Sequence, residues 1–254
     1  AILESRKIKK DQRITTSPGW IKLGGYKTRD LRDYGILGLS EIISLSSNVG
    51  MVKLCIDQDP DHLQRYYSKF GLGKIPTNIL IPSREGYVPQ NLAISQRDKV
   101  SICYGYGLSM TAIQIAQAYQ VLANKGVFKE LNLFYDDRIA NLKPKKRVIS
   151  EETSSSILGM LIQTVNSKRA TGKKARIQGV QVAGKTGTAE KIYNERKSYT
   201  ATFSGFAPAE EPKLLGVIVL HDLTGESHSG GSAAAPVFSS IIEQSLHVLD
   251  SGTL

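Results

Sequence analysis

The chain has 254 residues, 41% of them hydrophobic, which is enough for a buried core in one domain or two closely packed subdomains. Its formal net charge of +10 is spread over scattered lysines and arginines, with runs at residues 6–13, 143–147 and 168–176. No aromatic residues interleave with them as stacking platforms, so solvated faces are expected and a nucleic-acid partner is not; nor is there an apolar run of roughly eighteen residues to cross a membrane.

Ala1-Ile2-Leu3-Glu4 reads as the tail of a helix already under way, with no signal-peptide pattern, and the chain is expected to be a fragment of a longer protein. From about residue 30 to 166 the pattern is mainly helical. Ser40 is placed to cap a short helix through Leu45 that breaks at Ser46-Ser47-Asn48, and another helix begins near Val49. Asp59-Pro60 is a cap followed by a first-turn proline, and Gly71 stops that helix. Thr111 and Gln114 form a capping box for a helix over 112–124 that closes at Gly126. Apolar residues surround that helix (Ile113, Ile115, Ala116, Ala118, Tyr119, Val121, Leu122), which predicts a central, buried position. Ser150 caps a further helix with Ile157, Leu158, Leu161, Ile162 and Val165 on one face. Residues 72–95 and 127–149 show no strong periodicity and are expected as loops or short strands.

After about residue 177 the hydrophobic period changes to two. Residues 180–192, 199–207 and 213–221 read as strands joined by polar turns at 193–198 and 208–212, hence as antiparallel neighbours. The first is expected to be a central strand, because Val182 and Ala183 look core-like. Pro236 starts a last helix over 237–248, whose stripe of Phe238, Ile241, Ile242, Leu246 and Leu249 should cover one face of the sheet. The expected fold is α+β, a single domain over 1–254. A helical subdomain (30–166) stands beside an antiparallel sheet with its C-terminal helix (177–250), and the chemistry is expected at the seam. Cys55 and Cys103 lie among apolar residues without metal-ligand spacing; two buried thiols are expected, and the sequence does not decide whether they pair. His62, His221, His228 and His247 form no H-E-x-x-H cluster, are expected in loops or on the surface, and predict no metal; no cofactor motif occurs either.

Two short motifs carry chemistry. Lys185-Thr186-Gly187-Thr188 places a cation, two hydroxyls and a residue without a Cβ on adjacent positions of a strand. Lys185, Thr186 and Thr188 can receive a terminal carboxylate through charge-assisted hydrogen bonds, Gly187 lets another backbone lie close, and the strand edge can accept an extended peptide. The Thr188 N–H would then serve as half of an oxyanion hole, typically worth about 3 kcal/mol of barrier. In Ser46-Ser47-Asn48, Ser46 can relay a proton and Asn48 can fix a substrate amide and a catalytic lysine. Taken alone, this second segment reads as a helix break with Asn48 as the next N-cap. Its pairing with residues 185–188 favours the catalytic reading.

S-x-N together with K-T-G is a signature set of penicillin-binding proteins and related β-lactamases. Leu45-Ser46-Ser47-Asn48-Val49-Gly50, Tyr104-Gly105-Tyr106-Gly107-Leu108, Thr171-Gly172-Lys173-Lys174-Ala175, the run 183–190 and Ala234-Ala235-Pro236-Val237-Phe238 all resemble a class B penicillin-binding protein, closest to the septal, division-specific type. The resemblance runs from the first residues to about residue 248. It implies a penicillin-binding protein/serine β-lactamase-like fold and a serine D,D-transpeptidase that cross-links peptidoglycan stem peptides ending in D-Ala-D-Ala and is acylated by β-lactams. Catalytic roles fall on Ser46, Asn48, Lys185 and Thr188, and substrate binding on Thr186, Gly187 and Thr188. The implied partners are a membrane glycosyltransferase and other divisome proteins. The implied location is the bacterial inner membrane, through an anchor outside these residues, with the catalytic part in the periplasm.

The family's nucleophile lies in S-x-x-K, with serine and lysine one helical turn apart so that the amine takes the hydroxyl proton. No serine of this chain has lysine three positions later. Truncation is the expected cause, and these residues alone are expected to be inactive. Three other readings stand beside the septal enzyme: an elongation-specific transpeptidase, a non-catalytic peptide-binding module, and a β-lactam sensor or hydrolase.

Overall fold

The computed structural model describes residues 1–5, 7–75, 83–89, 95–131 and 145–252. They fall into two compact units, Ala1–Ser155 and Ser156–Leu254. Parts of the segments expected as loops or short strands (76–82, 90–94 and 132–144), and Arg6 and Lys143 of the basic runs, lie outside the described residues.

Two short ribbons open the first unit. Strand β1 (Arg13–Thr15) pairs antiparallel with β4 (Ile36–Gly38), and β2 (Trp20–Leu23) pairs antiparallel with β3 (Tyr26–Arg29). The β2–β3 hairpin closes through Gly24 and Gly25 at φ 55° and 77°, the backbone that a two-residue primed turn needs. This hairpin is absent from the sequence reading, although Gly-Gly between two β-rich quartets is a signal for it.

Helix α1 (Leu39–Ser44) corrects one expectation. Its N-cap is Gly38, whose N–H donates to the Glu41 carboxylate at 2.9 Å, and Ser40 sits inside the first turn. The chain passes from β4 straight into the helix, so no residue is left over for a serine cap. Helix α2 (Asn48–Cys55) follows, and α3 (Pro60–Lys69) starts after Asp59, whose carboxylate accepts the Asp61 N–H at 3.1 Å. Helix α4 (Gln96–Cys103) is capped by Ser95. Helix α5 (Ala112–Ala123) has the expected capping box, with reciprocal Thr111–Gln114 bonds of 2.9 and 3.2 Å.

The burial of α5 departs from its apolar pattern. Gln114, Gln117 and Val121 are its buried residues, while Ile113, Ile115, Ala116, Ala118, Tyr119 and Leu122 are half-buried. Gln114 is satisfied in the core because its Nε2 donates to the Lys74 and Glu85 carbonyls at 2.9 and 2.7 Å. Beyond the short β5 (Val127–Phe128) and β6 (Lys146–Arg147) pair, α6 (Glu151–Asn166) is capped by Ser150 as expected. The Glu4 carboxylate takes both the N–H and the hydroxyl of Ser150, at 3.0 and 2.7 Å, and so sits at a helix N-terminus where negative charge is favoured.

Cys55 and Cys103, each the last residue of its helix, form a disulfide with Cα atoms 5.6 Å apart. They are buried with Val52, Leu63, Val100 and Ile102. The expectation of two thiols is thereby corrected. His62 also departs from expectation, lying half-buried on α3 with Nε2 3.0 Å from the Ala1 carbonyl oxygen.

In the second unit β7 (Ala183–Tyr193), β8 (Arg196–Ala207) and β9 (Leu214–Leu223) form an antiparallel sheet in the order β7-β8-β9. The expected turn at 193–198 contracts to Asn194 and Glu195 at φ 47° and 61°. Among the described residues β8 is the central strand and β7 an edge, which corrects the expectation for β7. Its buried residues, Ala183 and Gly184, are confined to the strand's start, where Val182 also enters the core.

Helix α7 (Ala235–Asp250) follows a π-helical turn at Gly230–Ala234. It buries Ala235, Phe238, Ile242 and Leu246, with the Phe238 ring 4.7 Å from that of Phe203. Ile241 and Leu249, expected in this stripe, are 50% and 39% exposed. Each adjacent residue turns the side chain about 100° round a helix, so Phe238 against Phe203 sets a face that Ile241 misses.

Candidate active site

In the first unit the candidate residues lie at the turn between α1 and α2. Ser46 has φ 55°, a left-handed conformation uncommon for a residue with a Cβ, and its neighbours must hold it there. Ser47, fully buried, is the N-cap of α2 and accepts the Gly50 N–H at 2.9 Å. The cap therefore falls on Ser47, and Asn48 is the first helical residue. Asn48 gives one Nδ2 hydrogen to the Arg29 carbonyl at 3.1 Å, which fixes the carboxamide plane. Its Oδ1 is then the acceptor that it offers to an ammonium or an amide N–H. Asp30, which belongs to neither sequence motif, accepts the Ser47 hydroxyl at 2.7 Å and the Val49 N–H at 3.0 Å.

In the second unit the candidate residues lie at the start of β7. Side chains alternate along a strand, so Thr186 and Thr188 share one face and Lys185 and Gly187 the other. The Lys185 ammonium folds back to the Thr186 carbonyl at 3.0 Å and stands 3.4 Å from its hydroxyl. Lys185 keeps part of its surface, but its ammonium lies in a desolvated position, and desolvation lowers its pKa to about 8. Thr186 Oγ1 donates to Thr171 Oγ1 at 2.8 Å, and Thr188 Oγ1 accepts the Gly230 N–H at 3.0 Å. Thr171 lies in the Thr171-Gly172 motif, to which the sequence reading assigns no role of its own.

The close backbone approach expected at Gly187 has a different origin from the one anticipated. A Cβ on Gly187 would meet Thr202 Oγ1, and a Cβ on Gly230 would run into the carbonyl oxygens of Thr202 and Gly187. The chain's own π-helical turn is what rests on the strand. Gly230→Ala is accordingly expected to destabilise the protein by about 1–3 kcal/mol, because two backbone atoms must move. Gly187→Ala should cost less, since the Thr202 side chain can rotate away. Thermal unfolding of the two variants tests the order.

The structure thus brings Lys185, Thr186, Gly187 and Thr188 together in the second unit and Ser46 and Asn48 together in the first. As an edge strand, β7 presents backbone groups that can pair with an added peptide strand, as the sequence reading expects of residues 185–188.

A family model described as "Penicillin binding protein transpeptidase domain" matches residues 1–243. The "Peptidoglycan D,D-transpeptidase FtsI" of Buchnera aphidicola subsp. Schizaphis graminum is 34% identical over 240 residues, 93% of this chain and 41% of that protein. Its namesake from Escherichia coli K12 is 31% identical over 238 residues, 92% of this chain and 40% of that protein. The chain therefore spans about two fifths of the length of these curated relatives. Among solved structures, the apo TP domain of Burkholderia pseudomallei penicillin-binding protein 3 superposes with a TM-score of 0.89 at 28% identity, covering 98% of this chain and 75% of that one.

Proposed function

The chain belongs to the penicillin-binding protein transpeptidase domain family, and on that footing we propose that it is the peptide-binding and acyl-transfer part of a peptidoglycan D,D-transpeptidase. The observation that carries the proposal is the edge strand with a desolvated Lys185 beside the Thr186 hydroxyl and with Thr188 two residues further along the same strand. In the proposed reaction a serine hydroxyl attacks the penultimate D-alanyl carbonyl of a stem peptide. The terminal D-alanine leaves with a proton, and the acyl group passes to an amine of a neighbouring stem.

Lys185 and the two threonines hold the departing residue's carboxylate. On an edge strand alternate N–H groups point away from the partner strand, and the Thr188 N–H is assigned to stabilise the tetrahedral oxyanion. Ser46 relays the leaving-group proton, and Asn48, through Oδ1, orients the lysine that activates the nucleophile. The acylating serine and its lysine are not among these 254 residues, so the activity is proposed for the full-length protein.

β-Lactams, which mimic the D-Ala-D-Ala end, are the proposed inhibitors. The relatives named FtsI support the septal role over the elongation-specific one, and give no support to a non-catalytic module or sensor. A membrane glycosyltransferase and other divisome proteins are the proposed partners. We place the catalytic part in the periplasm, held at the inner membrane by a segment outside this chain; no described helix is long and apolar enough to cross a membrane. The Cys55–Cys103 disulfide suits such an oxidising compartment. Full-length protein mixed with stem pentapeptide and an acceptor amine should release one D-alanine per cross-link formed. Cross-linking without D-alanine release, or no reaction, would reject the assignment.

A further inference from the structure

We infer that Asp30 is a positioning residue for acylation, acting through the Ser46–Asn48 turn. The inference rests on the functional reading of that turn given above. Asp30 follows directly on β3, and its own N–H donates to the Gly19 carbonyl at 2.9 Å, so its backbone is anchored before its side chain acts. One carboxylate oxygen takes the hydroxyl of buried Ser47 and the other takes the Val49 N–H, at 2.7 and 3.0 Å. The preceding residue, Arg29, takes the Asn48 carboxamide through its carbonyl.

Two adjacent residues at the end of β3 therefore fix three consecutive residues of the turn. Val49 and Gly50 are among the first residues of α2, where N–H groups lack helical partners; Asp30 satisfies one directly and Ser47 satisfies the other. The carboxylate also lies at a helix N-terminus, which favours its charge. Ser46, at φ 55°, is the residue that this network holds in a conformation it would otherwise leave. Loss of Asp30 would strand the Ser47 hydroxyl and free the turn to relax, carrying Ser46 and Asn48 out of alignment. The bonds that Asp30 and Arg29 make in this network run to Ser47, Asn48 and Val49, so the grip of residues 185–188 on a substrate carboxylate is expected to survive the loss of Asp30.

The test is stopped-flow acylation of the full-length protein by a fluorescent penicillin, which separates the dissociation constant from the acylation rate constant. Active-site titration normalises for any unfolded fraction. Asp30→Ala is expected to lower the rate constant tenfold or more with less than twofold change in the dissociation constant. Asp30→Asn should rescue only part of the rate, since its Oδ1 can keep the Val49 N–H while its amide nitrogen can no longer accept the Ser47 hydroxyl. Ser47→Ala, a smaller change that guards against misfolding of the first variant, should slow acylation in the same direction. Added to Asp30→Ala it should cost less than it does alone, because the two residues share one bond while each keeps another of its own. Normal rate constants in Asp30→Ala, Asp30→Asn and Ser47→Ala would overturn the inference while leaving the functional reading intact. Failure of the unmutated protein to acylate would overturn that reading and, with it, the role of Asp30.

Discussion

Alanine in place of Lys185 is expected to slow acylation of the full-length protein by penicillin about 100-fold. A hydrogen bond to a charged group contributes about 1.5–3 kcal/mol, and each 1.4 kcal/mol is about a factor of ten in rate. The loss should appear mainly as weaker capture of carboxylate-bearing ligands, and an ester of the same penicillin should show a much smaller difference between the two proteins. The pH dependence follows from the same residue. With its pKa lowered to about 8 by desolvation, Lys185 loses its charge as pH rises through that value, and the second-order acylation constant should fall over the same range. Lys185→Arg keeps the cation and should remove that alkaline limb. The effect on stability has the opposite sense. Unfolded Lys185 holds its proton to about 10.5, so between roughly pH 8 and 10.5 the unfolded state binds more protons and its contribution to stability rises with pH.

Replacing both Cys55 and Cys103 by serine is expected to destabilise the protein by about 4 kcal/mol, from the loop-entropy relation applied to a separation of 48 residues. Both cysteines end helices and are buried with Val52, Leu63, Val100 and Ile102, so the hydroxyls also enter apolar surroundings. Chemical denaturation of the double variant beside the parent measures the change. If a reductant lowers the parent's midpoint and leaves the variant's unaltered, the effect is assigned to the bond.

Helix ends were legible in part: Ser40 and Asn48 are not the caps they resemble, because Gly38 and Ser47 take those places. Asp59-Pro60, the Thr111–Gln114 box and Ser150 all work as the local chemistry predicts, because a cap satisfies its own next turn and needs nothing distant. The change to period two likewise located all three strands of the second unit. Strand order was not legible: the alternation in β7 reports which side chains are buried, not whether a neighbour pairs on both edges. Nor was the burial of Gln114, since carboxamides read as surface residues until the Lys74 and Glu85 carbonyls are placed beside them.

Of the candidate residues, 185–188 and 46–48 were legible as contiguous motifs. Asp30 and Gly230 were not, because each acts on a partner far along the chain through one or two contacts that leave no spacing to read. The cysteine pairing was hidden for the same reason.

The most direct measurement is a crystal structure of the full-length protein acylated by a penicillin. The bound drug's carboxylate should lie within hydrogen-bonding distance of Lys185, Thr186 or Thr188, with its former lactam carbonyl oxygen accepting the Thr188 N–H. An acylated serine whose adduct leaves the β7 edge untouched would contradict the assignment of that strand.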